Sequence, residues 1–299
     1  MSDTGLTLAV AKYPVDAPSR FDDFADKQTR WLCQAAAAGA QLAVLPEYLS
    51  LELGATFAAG VRDDLQASLV ALQAYRAAWC DLYAGLARDT GLHMVAGTFL
   101  LDDGRGRYRN RADLFSPDGG HRWQDKLQLT GFEKKTGVID GGDALKVFEI
   151  EGVRVGIAIC YDIEFPLPVR VQCEAGARLV LVPSCTDTAA GATRVRVGCL
   201  ARALENRCFI AQSVTAGEAV WSPALDVNTG EATIYAPMDV GLPADGIVAE
   251  TREPHGWIYA EFDPRRLRET RDSAQVANDR DWPGQLAPSL RQATLEPGM

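Results

Sequence analysis

Short apolar runs rich in β-branched residues return along the whole chain with helix-forming stretches between them, and this recurrence restricts the fold more than any other feature. The runs are LTLAVAKYP (6–14), LAVLPEYLS (42–50), HMVAGTFL (93–100), RADLFSP (111–117), VRVGIAIC (153–160), RLVLVPSC (178–185), CFIAQSV (208–214) and WIYAEF (257–262). Several do not alternate cleanly between apolar and polar, which marks strands buried on both faces. Residues 17–38, 64–89, 167–175 and 190–206 carry Ala, Leu, Arg and Glu at helical spacing. Strands and helices in alternation predict a layered α/β fold. No Pro/Gly/Ser linker and no internal repeat divides the chain, so one domain is expected over 1–264. Residues 265–299 are charged, then Pro- and Gly-bearing, and read as a tail without a core of its own that docks on a partner subunit.

A chain of 299 residues that is 47% apolar can bury a large core. Its formal net charge of -10 argues against nucleic acid or an anionic membrane surface as a partner, since both require clustered Lys and Arg. The longest uncharged run, 31–46, is too short and too rich in Ala, Gly and Gln to span a bilayer. The opening MSDTG carries an acid and no basic stretch, unlike a secretory leader. The seven cysteines are odd in number, form no C-x-x-C pair and lie mostly in apolar stretches. That pattern suits reduced thiols and a cytoplasmic location. The three histidines, His93, His121 and His255, are scattered without ligand spacing, so no metal or other cofactor is expected. His121, in the turn-like SPDGGHRW, is expected to face solvent, and all three to be structural.

Three polar residues fall at the ends of apolar runs. Cys160 closes VRVGIAIC, before Pro166 opens a helix. The carboxyl end of a strand is where layered α/β proteins bind ligands, yet position alone does not separate a reactive thiol from an inert buried one. Glu47 stands just past LAVLP, where burial requires pairing or a raised pKa; a surface loop acid is the plain alternative. Lys126, in HRWQDKLQL, precedes a short alternation of Leu127 and Leu129 and would ordinarily be solvated. Chemistry links the three. A thiol becomes a nucleophile when a nearby base removes its proton. Glu can act as that base, return the proton to a departing amine and then activate water. Lys, with the backbone N–H of Tyr161, can hold the oxyanion formed when the thiolate attacks a carbonyl.

The order LPEY, DKLQL and GIAICYDIEFP resembles the nitrilase superfamily of carbon-nitrogen hydrolases, whose triad is Glu, Lys and Cys in that order. Here 79 residues separate Glu47 from Lys126 and 34 separate Lys126 from Cys160, gaps similar to those of the amidase-type members. The resemblance extends from LTLAVAKYP through NRADLFSPDG to RALENRCFIAQS and WIYAEF. It implies an α/β fold of the four-layer αββα sandwich type, Cys160 as nucleophile, Glu47 as general base and Lys126 as oxyanion partner. It also implies that Glu133, in TGFEKKTGVIDGGD, is the family's further glutamate, which positions lysine and substrate. Two positions depart from the common pattern: Glu164 stands where an arginine is usual and Leu167 where a glutamate is.

The function expected is hydrolysis of a small amide or ureido compound through a cysteinyl thioester. Members that act on nitriles commonly carry Trp-Glu after the nucleophile, whereas Tyr161 and Asp162 follow Cys160 here. Acyl transfer from the same thioester and a catalytically silent scaffold are the alternatives; retention of Glu47, Lys126, Glu133 and Cys160 weighs against the scaffold. VPSCTDTAAG is expected to line the substrate pocket through Ser184, Cys185, Thr186 or Asp187, although a plain strand-to-helix loop reads equally from the residues. Cys185 is expected to be a spectator, and Arg202 with Glu205 a structural i, i+3 pair. The resemblance implies a homodimer or larger homo-oligomer.

Overall fold

β1 (Leu6–Pro14) organises the molecule because its two faces enter different cores. Leu6, Leu8 and Val10 join one core, Ala9, Ala11 and Tyr13 the other, as a strand covered on both sides requires. This computed structural model describes residues 5–290 and 292–295.

From one edge of β1 the sheet continues through β2 (Leu42–Val44), β3 (His93–Asp102), β4 (Tyr108–Phe115) and β5 (His121–Asp125). β1, β2 and β3 are parallel, while β4 and β5 return antiparallel. β6 (Ile139–Asp140) adds to the end of β4. The other half holds β7 (Val147–Ile150), β8 (Val153–Ile157), β9 (Leu179–Ser184) and β10 (Phe209–Glu218), with β8, β9 and β10 parallel. β11 (Val227–Asn228) and β12 (Thr233–Tyr235) flank β10, and β13 (Ile247–Glu250) pairs with β12. β14 (Gly256–Phe262) runs antiparallel along residues 6–12 of β1, so β1 meets β10 through residues 12–14 and 214–216. The two halves part at that short junction and fold face to face.

Helices cover the outer faces. α1 (Phe21–Ala37) and α4 (Arg76–Thr90) bring Phe24, Leu32, Trp79 and Tyr83 onto Ala9 and Tyr13; α2 (Ala59–Arg62) and α3 (Leu65–Leu72) lie between them in sequence. The short α5 (Gly131–Thr136) follows β5. α6 (Pro166–Glu174) and α7 (Ala189–Asn206) bring Val169, Cys173, Val195 and Cys199 onto the second half. The result is the four-layer αββα sandwich. The single helix expected over 64–89 is broken at Gln73–Tyr75, where the Gln73 amide donates to the Leu100 carbonyl of β3 and accepts from Asp102 N–H. The strands that periodicity missed, β5, β7 and β11 to β13 among them, are two to five residues long.

Past residue 264 the chain forms α8 (Pro264–Glu269) and α9 (Asn278–Asp281). Leu267 is buried in the first core, so packing continues beyond the boundary expected at 264. Arg170 of α6 lies 5.0 Å from the Trp282 ring and donates to the Asp279 carbonyl, so this part of the tail is held by its own chain. No helix among the described residues is long and apolar enough to cross a membrane.

Candidate active site

Each residue singled out at the end of an apolar run lies just past a strand, and backbone geometry turns it inward. β2 leads into Leu45-Pro46-Glu47, after which Tyr48 takes a left-handed φ of 60° and the chain turns into a 3₁₀ segment. β3 presses on this turn. A Cβ added at Gly97, itself at φ +66°, would sit 2.4 Å from the Pro46 carbonyl oxygen, so glycine is required there. Lys126 follows β5; its N–H donates to the Asn110 carbonyl of β4. Glu133 belongs to α5, where Thr130 and Glu133 form a capping box. Cys160 follows β8 and has φ +46°, an uncommon conformation for a residue with a side chain.

The four side chains converge in the interior. Lys126, 1% exposed, donates from Nζ to Glu47 Oε1 at 2.7 Å and to Glu133 at 2.9–3.0 Å. The Glu47 Oε2 oxygen accepts from the backbone N–H of Cys185 at 3.1 Å. The Cys160 thiol donates to the Cys185 carbonyl at 3.5 Å and lines the same pocket as Glu47. Two residues missed from sequence complete the cluster. Asn110 Nδ2 donates to Glu47 at 2.8 Å and Glu133 at 3.3 Å, and the Tyr48 hydroxyl donates to Glu133 at 2.8 Å. Both were in quoted motifs, NRADLFSPDG and LPEY, but only the fold brings β4 to the end of β2.

One cation faces two carboxylates, and they respond differently. Burial raises the Glu47 carboxyl above its ordinary value, and Glu133 adds to this against the opposing pull of Lys126. Burial also acts upward on Glu133, but Lys126, the Thr130 N–H and the Tyr48 hydroxyl outweigh it and hold that carboxyl low. Burial acts downward on Lys126, but its two carboxylates dominate and hold the ammonium above its ordinary value. Burial and the negative charge of Glu47 hold the Cys160 thiol well above its ordinary value, with Lys126 opposing. Glu133 is thus the carboxylate held low beside Lys126, while burial holds both Glu47 and Cys160 above their ordinary values.

Asp162 has a positioning part that the sequence did not reveal. It accepts from the N–H groups of Ile159, Leu127 and Gln128 at 3.1, 3.1 and 2.7 Å, joining the turn that carries Cys160 to the loop that carries Lys126. Burial pushes its carboxyl up to about 6 despite those N–H groups. α7 braces the same turn. A Cβ at Gly198 would lie 2.9 Å from the Ile163 carbonyl oxygen, to which Arg202 donates at 3.2 Å. The Arg202–Glu205 pair forms at 2.8 and 2.9 Å.

A pocket of about 280 Å³ opens over Glu47, Lys126 and Cys160. Of the residues expected to line it, Tyr161, Cys185, Thr186 and Asp187 do; Ser184 is fully buried within β9 and its hydroxyl turns to the Val182 carbonyl. Burial pushes the Cys185 thiol up to about 12. Glu164 lines the pocket and pairs with Arg194 at 3.5 Å, whereas Leu167 points to solvent. His121 is half-exposed and takes a structural role as expected, but it also bonds buried Asp113 at 2.9 Å and stacks on Phe115. Among the described residues no group of three or more His, Cys, Asp or Glu side chains is placed to hold a metal ion.

Comparison with known proteins agrees with this architecture. Residues 7–272 match the family model described as carbon-nitrogen hydrolase. A probable hydrolase of Bacillus subtilis, YhcX, is 29% identical over 279 residues, 92% of this chain and 53% of that protein, so the chain spans about half its length. An omega-amidase of Xenopus laevis, NIT2-A, is 24% identical, with 88% of this chain and 91% of that protein covered. Among solved structures, Nit3 of Saccharomyces cerevisiae superposes with a TM-score of 0.70 at 20% identity over 92% of this chain and 96% of that one. A Nesterenkonia amidase of the nitrilase superfamily superposes with a TM-score of 0.69 at 21% identity, covering 94% and 98%. At these identities the structures establish the fold.

Proposed function

The chain belongs to the carbon-nitrogen hydrolase family, and on that premise we propose that it hydrolyses the C–N bond of a small amide or ureido compound through a thioester on Cys160. The observation that carries this reading is a single one: Lys126 bridges Glu47 and Glu133 directly beneath a pocket that Cys160 lines. In the resting site the thiol holds the proton and Glu47 the negative charge. As sulfur attacks the carbonyl carbon, the proton passes to Glu47, so charge moves from carboxylate to sulfur and on to the oxyanion without a net change inside the buried site. Lys126 and the Tyr161 N–H hold that oxyanion. Collapse of the intermediate breaks the C–N bond, and the amine leaves with the proton from Glu47. Water then gives a proton to Glu47 and its oxygen to the thioester; as the C–S bond breaks, Glu47 returns that proton to sulfur, freeing the acid and the Cys160 thiol.

The pocket mouth carries Glu164, Asp187 and Asp226 against Arg194, which supports a neutral or cationic amide over an anionic one. The oxyanion route supports amides over nitriles, whose attack puts charge on nitrogen. Exposed Leu167 and Val171 on α6 and Val197 on α7 support a second copy docking on this face as a homodimer or larger assembly. All seven cysteines are free, which supports a reducing, cytoplasmic setting. The test is ammonia release from a panel of small carboxamides, ureido compounds and nitriles, with intact-mass detection of an acyl adduct. Turnover of an amide or ureido compound with an adduct on Cys160 is expected; turnover without dependence on Cys160 overturns the reading.

A further inference from the structure

At the amino ends of β8, β9 and β10, the edge of the sheet opposite to Cys160 and Cys185, lies a second and larger cavity of about 550 Å³. Six arginines line it, Arg154, Arg178, Arg207, Arg268, Arg271 and Arg280, against one acid, Asp272. In a chain of net charge -10 this concentration of guanidinium groups stands against the general field. Arg207 and Arg271 are neutralised from behind. Arg207 bonds Asp239 at 2.9 Å and the Thr270 hydroxyl at 2.8 Å, and Arg271 forms a two-pronged pair with Asp279.

Others are oriented by carbonyl groups, which fix a guanidinium without cancelling its charge. Arg154 donates to the Ala175 carbonyl at 3.2 Å; Arg178 donates to those of Cys173 and Ala177 at 3.1 and 2.8 Å. Room for Arg154 depends on Gly176, at φ +99°, where an added Cβ would lie 2.6 Å from Arg154 Nη1. Among the described residues no carboxylate pairs with Arg154, Arg178 or Arg280. Planar guanidinium forks match the oxygen pairs of phosphate and carboxylate. A concave patch on an acidic protein suits a compact anion, since an extended polyanion would meet repulsion beyond the rim.

We propose that this pocket binds a small molecule carrying two or more phosphate or carboxylate groups. The ligand joins the start of β8 and β9 to the segment from Pro264 to Arg280, away from the pocket over Cys160, so its binding is independent of turnover. The test is calorimetric titration of the full chain with pyrophosphate and, separately, citrate at low ionic strength, with sodium chloride at equal ionic strength as control. Saturable binding of one molecule per chain is expected for at least one probe, and which probe binds distinguishes phosphate from carboxylate chemistry. The exposed Arg280→Gln variant, whose native side chain makes no hydrogen bond or ion pair among the described residues, should bind about tenfold more weakly; Arg154→Gln with Arg178→Gln should abolish binding while amide hydrolysis is unchanged. Absence of saturable binding by both probes overturns the proposal, as does equal affinity in wild type and both variants. If neither probe binds and the double variant lowers the oligomer mass in light scattering, the arginines serve an interface between copies, and the proposal fails.

Discussion

Two buried clusters in this molecule are built from the same parts, and only one of them is a candidate site. Lys27 of α1 donates to Glu52 at 2.7 Å and pairs with Asp16 at 2.9 Å, while the Tyr13 hydroxyl donates to Glu52 at 2.6 Å. Lys126 likewise faces two carboxylates, with the Tyr48 hydroxyl donating to one of them. In each cluster burial raises one carboxyl, Glu52 or Glu47. A buried lysine beside a perturbed carboxyl is therefore not a signature of catalysis by itself. The clusters differ in what surrounds the charge. Around Lys27 the remaining hydrogen bonds close on Pro14, Asp16 and Gln28, whereas the Lys126 cluster adds a thiol and a pocket.

If that difference matters, the largest effect belongs to the thiol. Cys160→Ala and Cys160→Ser should lose essentially all turnover with the fold intact by circular dichroism, because the covalent path runs through sulfur. Next comes the cluster without a pocket. Lys27→Met leaves Glu52 and Asp16 without their cation and should lower stability by roughly 3–5 kcal/mol in denaturant melts, with kcat per folded molecule unchanged; a kcat loss at full stability would erase the contrast. Lys126→Ala should do the reverse in kind, raising the barrier by about 3 kcal/mol as a fall in kcat. Equal losses of kcat in the Lys27 and Lys126 variants would mean that the pocket does not separate the clusters.

The two raised carboxyls should also part company with pH. Glu47 must be ionised to take the thiol proton, so kcat/KM should fall as pH drops through its raised value, placing the acid limb above the ordinary carboxylate range. Glu52→Gln should leave that limb where it is. An acid limb at the ordinary glutamate value, about 4.3, would show that Glu47 is not the titrating base.

The reading from sequence succeeded where one segment carried its own meaning. β1, β9 and β10 were legible because long runs without alternation require cover on both faces; Glu47, Lys126 and Cys160 were singled out by the order of the motifs that hold them, since position at the end of a run left each with a plain alternative, and the fold brings the three to one pocket. The Lys27–Glu52 cluster was silent, since its members lie in a helix and a loop 25 residues apart and no local pattern joins them. Asn110, Tyr48 and Asp162 were silent as partners for the same reason. For His121 the glycine-rich turn showed the exposure but hid that the strand it opens carries its ring over Phe115.

The smallest effect concerns the pocket wall. Glu164 is partly exposed and meets a mostly exposed Arg194 at 3.5 Å, so solvent screens the pair to less than about 1 kcal/mol. Glu164→Gln should therefore leave stability and kcat on a neutral amide nearly untouched. It removes one negative charge from the mouth and releases Arg194 from its partner, and both changes favour an anionic substrate over a cationic one. The ratio of kcat/KM for an anionic amide to that for a cationic amide of equal length should rise a few-fold, and more at low salt, where screening is weaker. A ratio that does not move would restrict selection to the buried end of the pocket and leave Glu164 as a brace for Arg194 alone.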